Sequence, residues 1–98
     1  MSNRKLDETQ KVLFDAADVV ERRGHCKNKY MDDQGRVCLQ GAIVAAAGMQ
    51  LHAVTTRLRY YLNLPPGMTT SDWNNRPERT SEEVVAALRG AASFLVYG

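Results

Sequence analysis

The chain has 98 residues, 44% hydrophobic and 24% charged, which is ordinary usage for one globular domain and argues against disorder. Thirteen basic residues against eleven acidic ones leave a formal charge of +2, too little to argue for nucleic acid by itself. The first residues, Met1 to Glu8, hold no apolar signal core, and the longest nearly apolar run, Ala42 to Leu51, is far short of the roughly 20 residues that cross a bilayer, so residues 1–98 are expected to form a single cytoplasmic domain with no membrane association.

The first helix is expected over Leu6 to Arg23. Leu13, Ala16, Ala17 and Val20 recur at helical spacing, with Val12 and Val19 widening the stripe. Asp7 and Gln10 supply a start, and Gly24 a stop. From His25 to Val37 no helical period holds. The turn residues Asp33, Gln34 and Gly35, flanked by Tyr30-Met31 and Arg36-Val37, read either as a minimal β-hairpin or as an irregular loop. This stretch is also locally basic: Arg22, Arg23, Lys27, Lys29 and Arg36 stand against Asp32 and Asp33 alone. A solvated helix end explains that bias, and so does contact with an anionic partner.

Cys38 to Gln50 reads as a second helix with no charge on any face, expected to lie buried at the centre of the fold. After Gly48, a third helix from about Leu51 to Asn63 carries Leu51, Val54, Leu58, Tyr61 and Leu62 on its apolar face and ends before Pro65-Pro66-Gly67. Met68 to Arg79 forms a long loop in which Ser71 or Asp72 caps at most one helical turn around Trp73. Thr80 and Glu83 have capping-box spacing, so the start of the last helix, Ser81 to about Leu95, is the best-defined boundary in the chain. Its tail, Phe94 to Tyr97, is apolar all round and either closes the core or forms a homodimer contact. The fold class is thus all-α: four main helices around a central apolar one, with at most one small hairpin.

Chemistry is harder to find. A zinc site would need His25, Cys26, Cys38 and His52 together, with no Cys-x-x-Cys pair, so no metal and no cofactor are expected. The two cysteines are expected to be free thiols, Cys38 acting as a small buried hydrophobe, although their spacing lets the two ends of the loop between them meet. No nucleophile elbow, phosphate-cradling glycine loop or distinctive carboxylate pair occurs, which argues against an enzyme. Trp73 is either a plug at the edge of the core or a binding anchor. Asn74, Asn75 and Arg76 beside it, with Tyr60, Arg57 and Arg59 on the third helix, make up the candidate interaction surface. Arg57, Arg59, Tyr60 and Asn63 also suggest the alternative of a small DNA-binding regulator reading through that helix.

Several segments together carry a resemblance. They are Ala16 to His25, the Asp33 to Arg36 turn, Val37 to Ile43, Trp73-Asn74-Asn75, and Arg79-Thr80 with Glu83-Val84-Val85. This order resembles a family of small uncharacterised helical proteins from actinobacteria and their phages. The family pattern is approximately a helix ending Glu-Arg-Gly-Trp, a Cys-x-x-Gly-Ala helix, and a Trp-Asn-Asp loop before an Arg-Thr-x-x-Glu-Val helix. The resemblance covers about residues 12 to 92 and has two departures: His25 stands where Trp is usual and Asn75 where Asp is usual. If that Asp did acid–base or metal work, Asn75 could not replace it. What the resemblance implies is a fold and an origin, with no established activity to carry over. The expectation is a non-catalytic accessory protein that binds a host protein through the Trp73 loop.

Overall fold

The structure, a computed structural model, describes residues 7–94. Among them are five helices: α1 (Glu8–Arg23), α2 (Leu39–Ala47), α3 (His52–Leu62), α4 (Thr70–Asn74) and α5 (Ser81–Ser93). The expected all-α bundle is present, with one short helix more than the four main ones. The N-terminal residue expected for the first helix, Leu6, and most of the apolar tail after Phe94 lie outside the described residues.

The helix boundaries follow from local chemistry. Asp7 accepts from the Gln10 amide at 2.8 Å while the Gln10 side chain accepts from the Asp7 N–H at 3.1 Å, closing a capping box at the start of α1. Thr80 and Glu83 close the same box at the start of α5, with bonds of 3.1 and 3.0 Å. A third box, Thr69 with Asp72, starts α4. The cap there is Thr69, ahead of the expected Ser71 or Asp72, because its hydroxyl reaches the third amide of the turn. Gly48 ends α2 in the left-handed conformation at φ 82°.

The core is organised around α1 and α5, which make the most extensive helix contact in the molecule. Leu13, Ala16, Ala17 and Val20 of α1 and Val84, Leu88, Ala91 and Ala92 of α5 are fully buried, joined by Leu39, Ala42 and Ile43 of α2 and Val54 and Leu58 of α3. Burying each large aliphatic side chain contributes about 1.5–3 kcal/mol. Polar contacts line the seam. Arg89 of α5 reaches Glu21 at 2.8 Å and Asp18 at 3.1 Å on α1, and Gln10 donates to the Ala92 carbonyl at 3.0 Å. The Arg89 guanidinium lowers the Glu21 carboxyl below its ordinary range.

The expectation of a central second helix needs correcting. Only its first half, Leu39 to Ile43, is buried; Val44, Ala46 and Ala47 are half-buried and Ala45 is exposed. Its uncharged run therefore reflects two different environments, a core contact followed by a surface cleft. The hairpin is also reduced. Val37 forms isolated bridges, antiparallel to Met31 and parallel to His25, and no continuous strand develops. The turn itself is well made: Asp32 accepts from the Gln34 and Arg36 amides at 3.0 and 2.9 Å and pairs with the Arg36 side chain at 2.6 Å. Burial alone would raise the Asp32 carboxyl, but the Arg36 side chain and these amides hold it below its usual range.

Close approach explains two glycines. A Cβ on Gly41 would run into the Tyr30 carbonyl, so glycine lets the 25–37 loop lie directly on α2. A Cβ on Gly90 would meet the Tyr61 hydroxyl, and the bare backbone there lets α3 press its Tyr61 ring onto α5, edge-on to Phe94 at 5.6 Å.

Candidate functional site

The Trp73 loop is built as an anchor inside the molecule. Asn74, the last residue of α4, is only 1% exposed, and its amide joins three segments. Its Oδ1 accepts from the Leu39 N–H at 3.0 Å, satisfying the first amide of α2. The same oxygen lies 2.7 Å from His25 Nε2. Its Nδ2 donates to the Cys26 carbonyl at 3.3 Å and to Asn75 Oδ1 at 2.9 Å. An N–H donor on one side and a carbonyl acceptor on the other fix which way the amide points, so His25 must donate through a protonated Nε2. Asn75 extends the arrangement by accepting from the Asn28 N–H at 2.8 Å, where Asn28 holds a left-handed φ of 67°.

Trp73 is half-buried and packs against the core. The Arg79 guanidinium lies 3.8 Å from the centre of its ring, and Arg79 Nε donates to the Trp73 carbonyl at 2.9 Å. The ring is thus sandwiched between core and cation. Arg76, beside it, is exposed and pairs loosely with Glu78 at 3.5 Å.

The third-helix residues of the candidate surface separate from this loop by role. Arg57 turns inward: Nε donates to the Ala91 carbonyl at 3.0 Å and Nη2 to the Phe94 carbonyl at 2.6 Å, capping the C-terminal end of α5, while Nη1 sits 3.5 Å from Asp7. Arg59 donates to the Met68 carbonyl, tying α3 to the following loop. Tyr60 is exposed. Of the seven residues singled out in the sequence, Tyr60 and Arg76 are the open ones, Asn74 is buried, and Trp73, Asn75, Arg57 and Arg59 are half-buried in structural contacts.

The titratable groups do not converge. Among the described residues no cluster of three or more His, Cys, Asp or Glu side chains is placed to hold a metal. His52 meets Thr56 on its own helix at 3.4 Å. Both cysteines are free thiols. Burial pushes the Cys26 thiol up, with Cys38 and Asp32 adding to the effect, and the protonated thiol contacts the Arg36 carbonyl at 3.2 Å. Cys38 caps α2, its sulfur accepting from the Gly41 amide at 3.2 Å. The two ends of the 26–38 loop do meet, through a 3.0 Å bond from the Cys26 N–H to the Val37 carbonyl.

A further surface is built on the 25–37 loop that Asn74 anchors. Tyr30 and Met31 are 55% and 54% exposed at the rim of an apolar cleft of about 300 Å³, formed with Val37 and with Gly41, Val44 and Ala45 of α2. Arg23 closes one end, donating to the Gly35 carbonyl and contacting the Met31 sulfur. Tyr30 also borders a second cleft, of about 270 Å³, with Asn28, Lys29, Cys38, Ser71 and Asn75 in its walls. Tyr30 and Met31 were expected as residues of a small hairpin and Ser71 as a helix cap, none of them as part of a binding surface. The available signal was two large apolar residues inside an otherwise polar, basic loop.

No helix among the described residues is long and apolar enough to cross a membrane. No curated protein and no solved structure matches the chain. A family model described as a family of unknown function, DUF6197, matches residues 4–94, nearly the whole length. The helical chain built around the Asn74 anchor therefore belongs to the family of unknown function DUF6197.

Proposed function

We propose that the protein is a non-catalytic interaction module of the bacterial cytoplasm that holds a segment of another protein against the Tyr30 face. The observation that carries this reading is the apolar cleft itself. Tyr30 and Met31 stay exposed on a loop whose backbone is fixed by Asn74, Gly41 and the Asp32 turn, and a preorganised aromatic and a methionine beside a slot are the components of an interface anchor. Polar side chains of the loop are occupied structurally: His25 bonds Asn74, Asn74 also bonds the backbone, and burial favours the protonated Cys26 thiol. The resemblance of its motifs to small proteins of actinobacteria and their phages supports an actinobacterial host protein as the partner, whether the chain is encoded by the host or by a phage.

The test is an affinity capture from actinobacterial lysate after nuclease treatment, comparing the native chain with Met31→Glu and with Tyr60→Ala as a control on a different exposed ring. One stoichiometric protein held by the native chain and by Tyr60→Ala, but lost with Met31→Glu, is the expected result. Equal capture by all three, or recovery that disappears with nuclease, overturns the reading.

A further inference from the structure

The two clefts that share Tyr30 differ in chemistry, and the difference specifies an occupant. The first is apolar on every wall except Arg23. The second is more polar, and the polar side chains it offers include donors. Asn75 Oδ1 is already engaged by the Asn28 N–H and by Asn74 Nδ2, which leaves its own NH₂ without a partner among the described residues. The Ser71 hydroxyl and the Lys29 ammonium likewise make no bond among them. Among the described residues, no carboxylate lines either cleft.

The wider charge pattern agrees. Among the described residues, Arg22, Arg23, Lys27 and Lys29 form no ion pair, nor does Arg59, which donates to the Met68 carbonyl, whereas Lys11, Arg36, Arg57, Arg76, Arg79 and Arg89 each have an acidic partner. Lys27 instead donates to the Pro77 carbonyl at 3.0 Å. Among the described residues, the cations without internal counter-ions other than Arg59 are therefore gathered between Arg22 and Lys29, next to Tyr30 and Met31, and complementary charge across an interface selects partners and speeds encounter.

We infer that the Tyr30 face recognises an acidic peptide segment of its partner, placing an apolar side chain in the slot beside Met31 and Val44 and a carboxylate in the neighbouring cleft against Lys29, Ser71 and Asn75. This rests on the reading of that face as a docking surface and adds the chemistry of what docks. Tyr30, standing between the clefts, is the ridge over which the segment lies. The anchored backbone of the 25–37 loop sets the separation between the apolar and the acidic subsites.

The test pans a phage-displayed library of random dodecapeptides against the purified full chain and measures the enriched peptides by fluorescence anisotropy. The expected result is enrichment of sequences with an apolar residue close to Asp or Glu. Their binding should be abolished by Met31→Glu, weakened about tenfold by Lys29→Glu, and weakened by raising salt. Enriched peptides that are neutral or basic, yet are lost with Met31→Glu, overturn the acidic specificity while leaving the docking face intact. Peptides indifferent to Met31→Glu, or no enrichment, overturn both. Two further measurements on the same protein carry equal weight. Sedimentation showing a dimer dissolved by Met31→Glu would make a second copy of this chain the occupant. Tight, salt-sensitive binding of a random duplex DNA lost with Lys29→Glu would assign the cations to phosphate. Either result overturns the peptide inference.

Discussion

Where α1 meets α5, the contact is a broad field of Leu, Val and Ala whose members share the work; where α4 meets α2 and the 25–37 loop, much of the contact runs through the amide of Asn74. The first region is non-directional, so its stability is spread over many side chains and tolerates exchange of one aliphatic for another. The second is directional. Its groups are backbone donors and acceptors with fixed geometry, and leaving them unpaired in a buried place is expensive. Apolar area holds the body of this protein together, while a few directional bonds, those of Asn74 foremost, set the loop on which its exposed aromatic and methionine stand.

The sharpest way to break the comparison is a matched pair of substitutions. Asn74→Leu keeps the branched outline of the side chain but strands the Leu39 N–H and the Cys26 carbonyl, and should lower stability by about 4 kcal/mol in urea unfolding. Leu88→Met in the α1–α5 core should lower it by less than about 1.5 kcal/mol. Equal effects would mean that the two regions are not held differently. Next in size is Gly41→Ala, where the new methyl meets the Tyr30 carbonyl; about 2–3 kcal/mol should be lost, with the loop displaced from α2.

Arg79→Ala probes the Trp73 sandwich. It removes the cation over the ring, the bond to the Trp73 carbonyl and a 3.5 Å pairing with Glu83, for an expected loss of about 1–2 kcal/mol. Trp73 is the only tryptophan in the chain, so a red shift of its emission reports the wetting of the ring directly. An unshifted spectrum would place the protection of Trp73 elsewhere.

The smallest effect concerns acid. The Thr80 amide, with Arg79 nearby, holds the Glu83 carboxyl below its usual range. A depressed carboxylate contributes stability that is complete above its unfolded-state value, about 4.3, and is lost as pH falls through the lower folded-state value. The urea midpoint of Glu83→Gln should therefore trail that of the native chain at pH 7 and converge with it toward pH 3. A constant gap would show that the carboxylate's charge plays no part in the capping box.

Much of the fold was legible because it depends on short-range rules. Asp7 with Gln10, Thr80 with Glu83, Gly24 and Gly48 mark helix ends through contacts within a few residues, and the period of Leu13, Ala16, Ala17 and Val20 identifies a buried face. The uncharged second helix was misplaced at the centre because composition does not distinguish a core neighbour from a surface cleft, and Ala45 and Val44 line the latter. The candidate site was legible only in outline. Asn74 and Asn75 drew notice as residues of interest, but their role depends on meeting Cys26, Asn28 and Leu39, between 35 and 48 positions away. No periodicity encodes such pairings. The inward turn of Arg57 was hidden for the same reason, since the carbonyls it caps lie at the end of α5.

The α1–α5 seam also has a kinetic side. Gln10 and Ala92 are 82 positions apart, and Arg89 is 71 from Asp18, so the most extensive interface in the molecule joins opposite ends of the described sequence. Closing it requires a long chain to lose its loop entropy before the aliphatic stripes make contact, and contacts of such sequence separation slow folding relative to local ones. On a translating ribosome, α1 emerges ahead of α5, and its contact with α5 waits through the synthesis of the three intervening helices. The solvated charges beside that stripe, Lys11 with Asp15 and Asp18 with Glu21, give the nascent helix a soluble face during that interval.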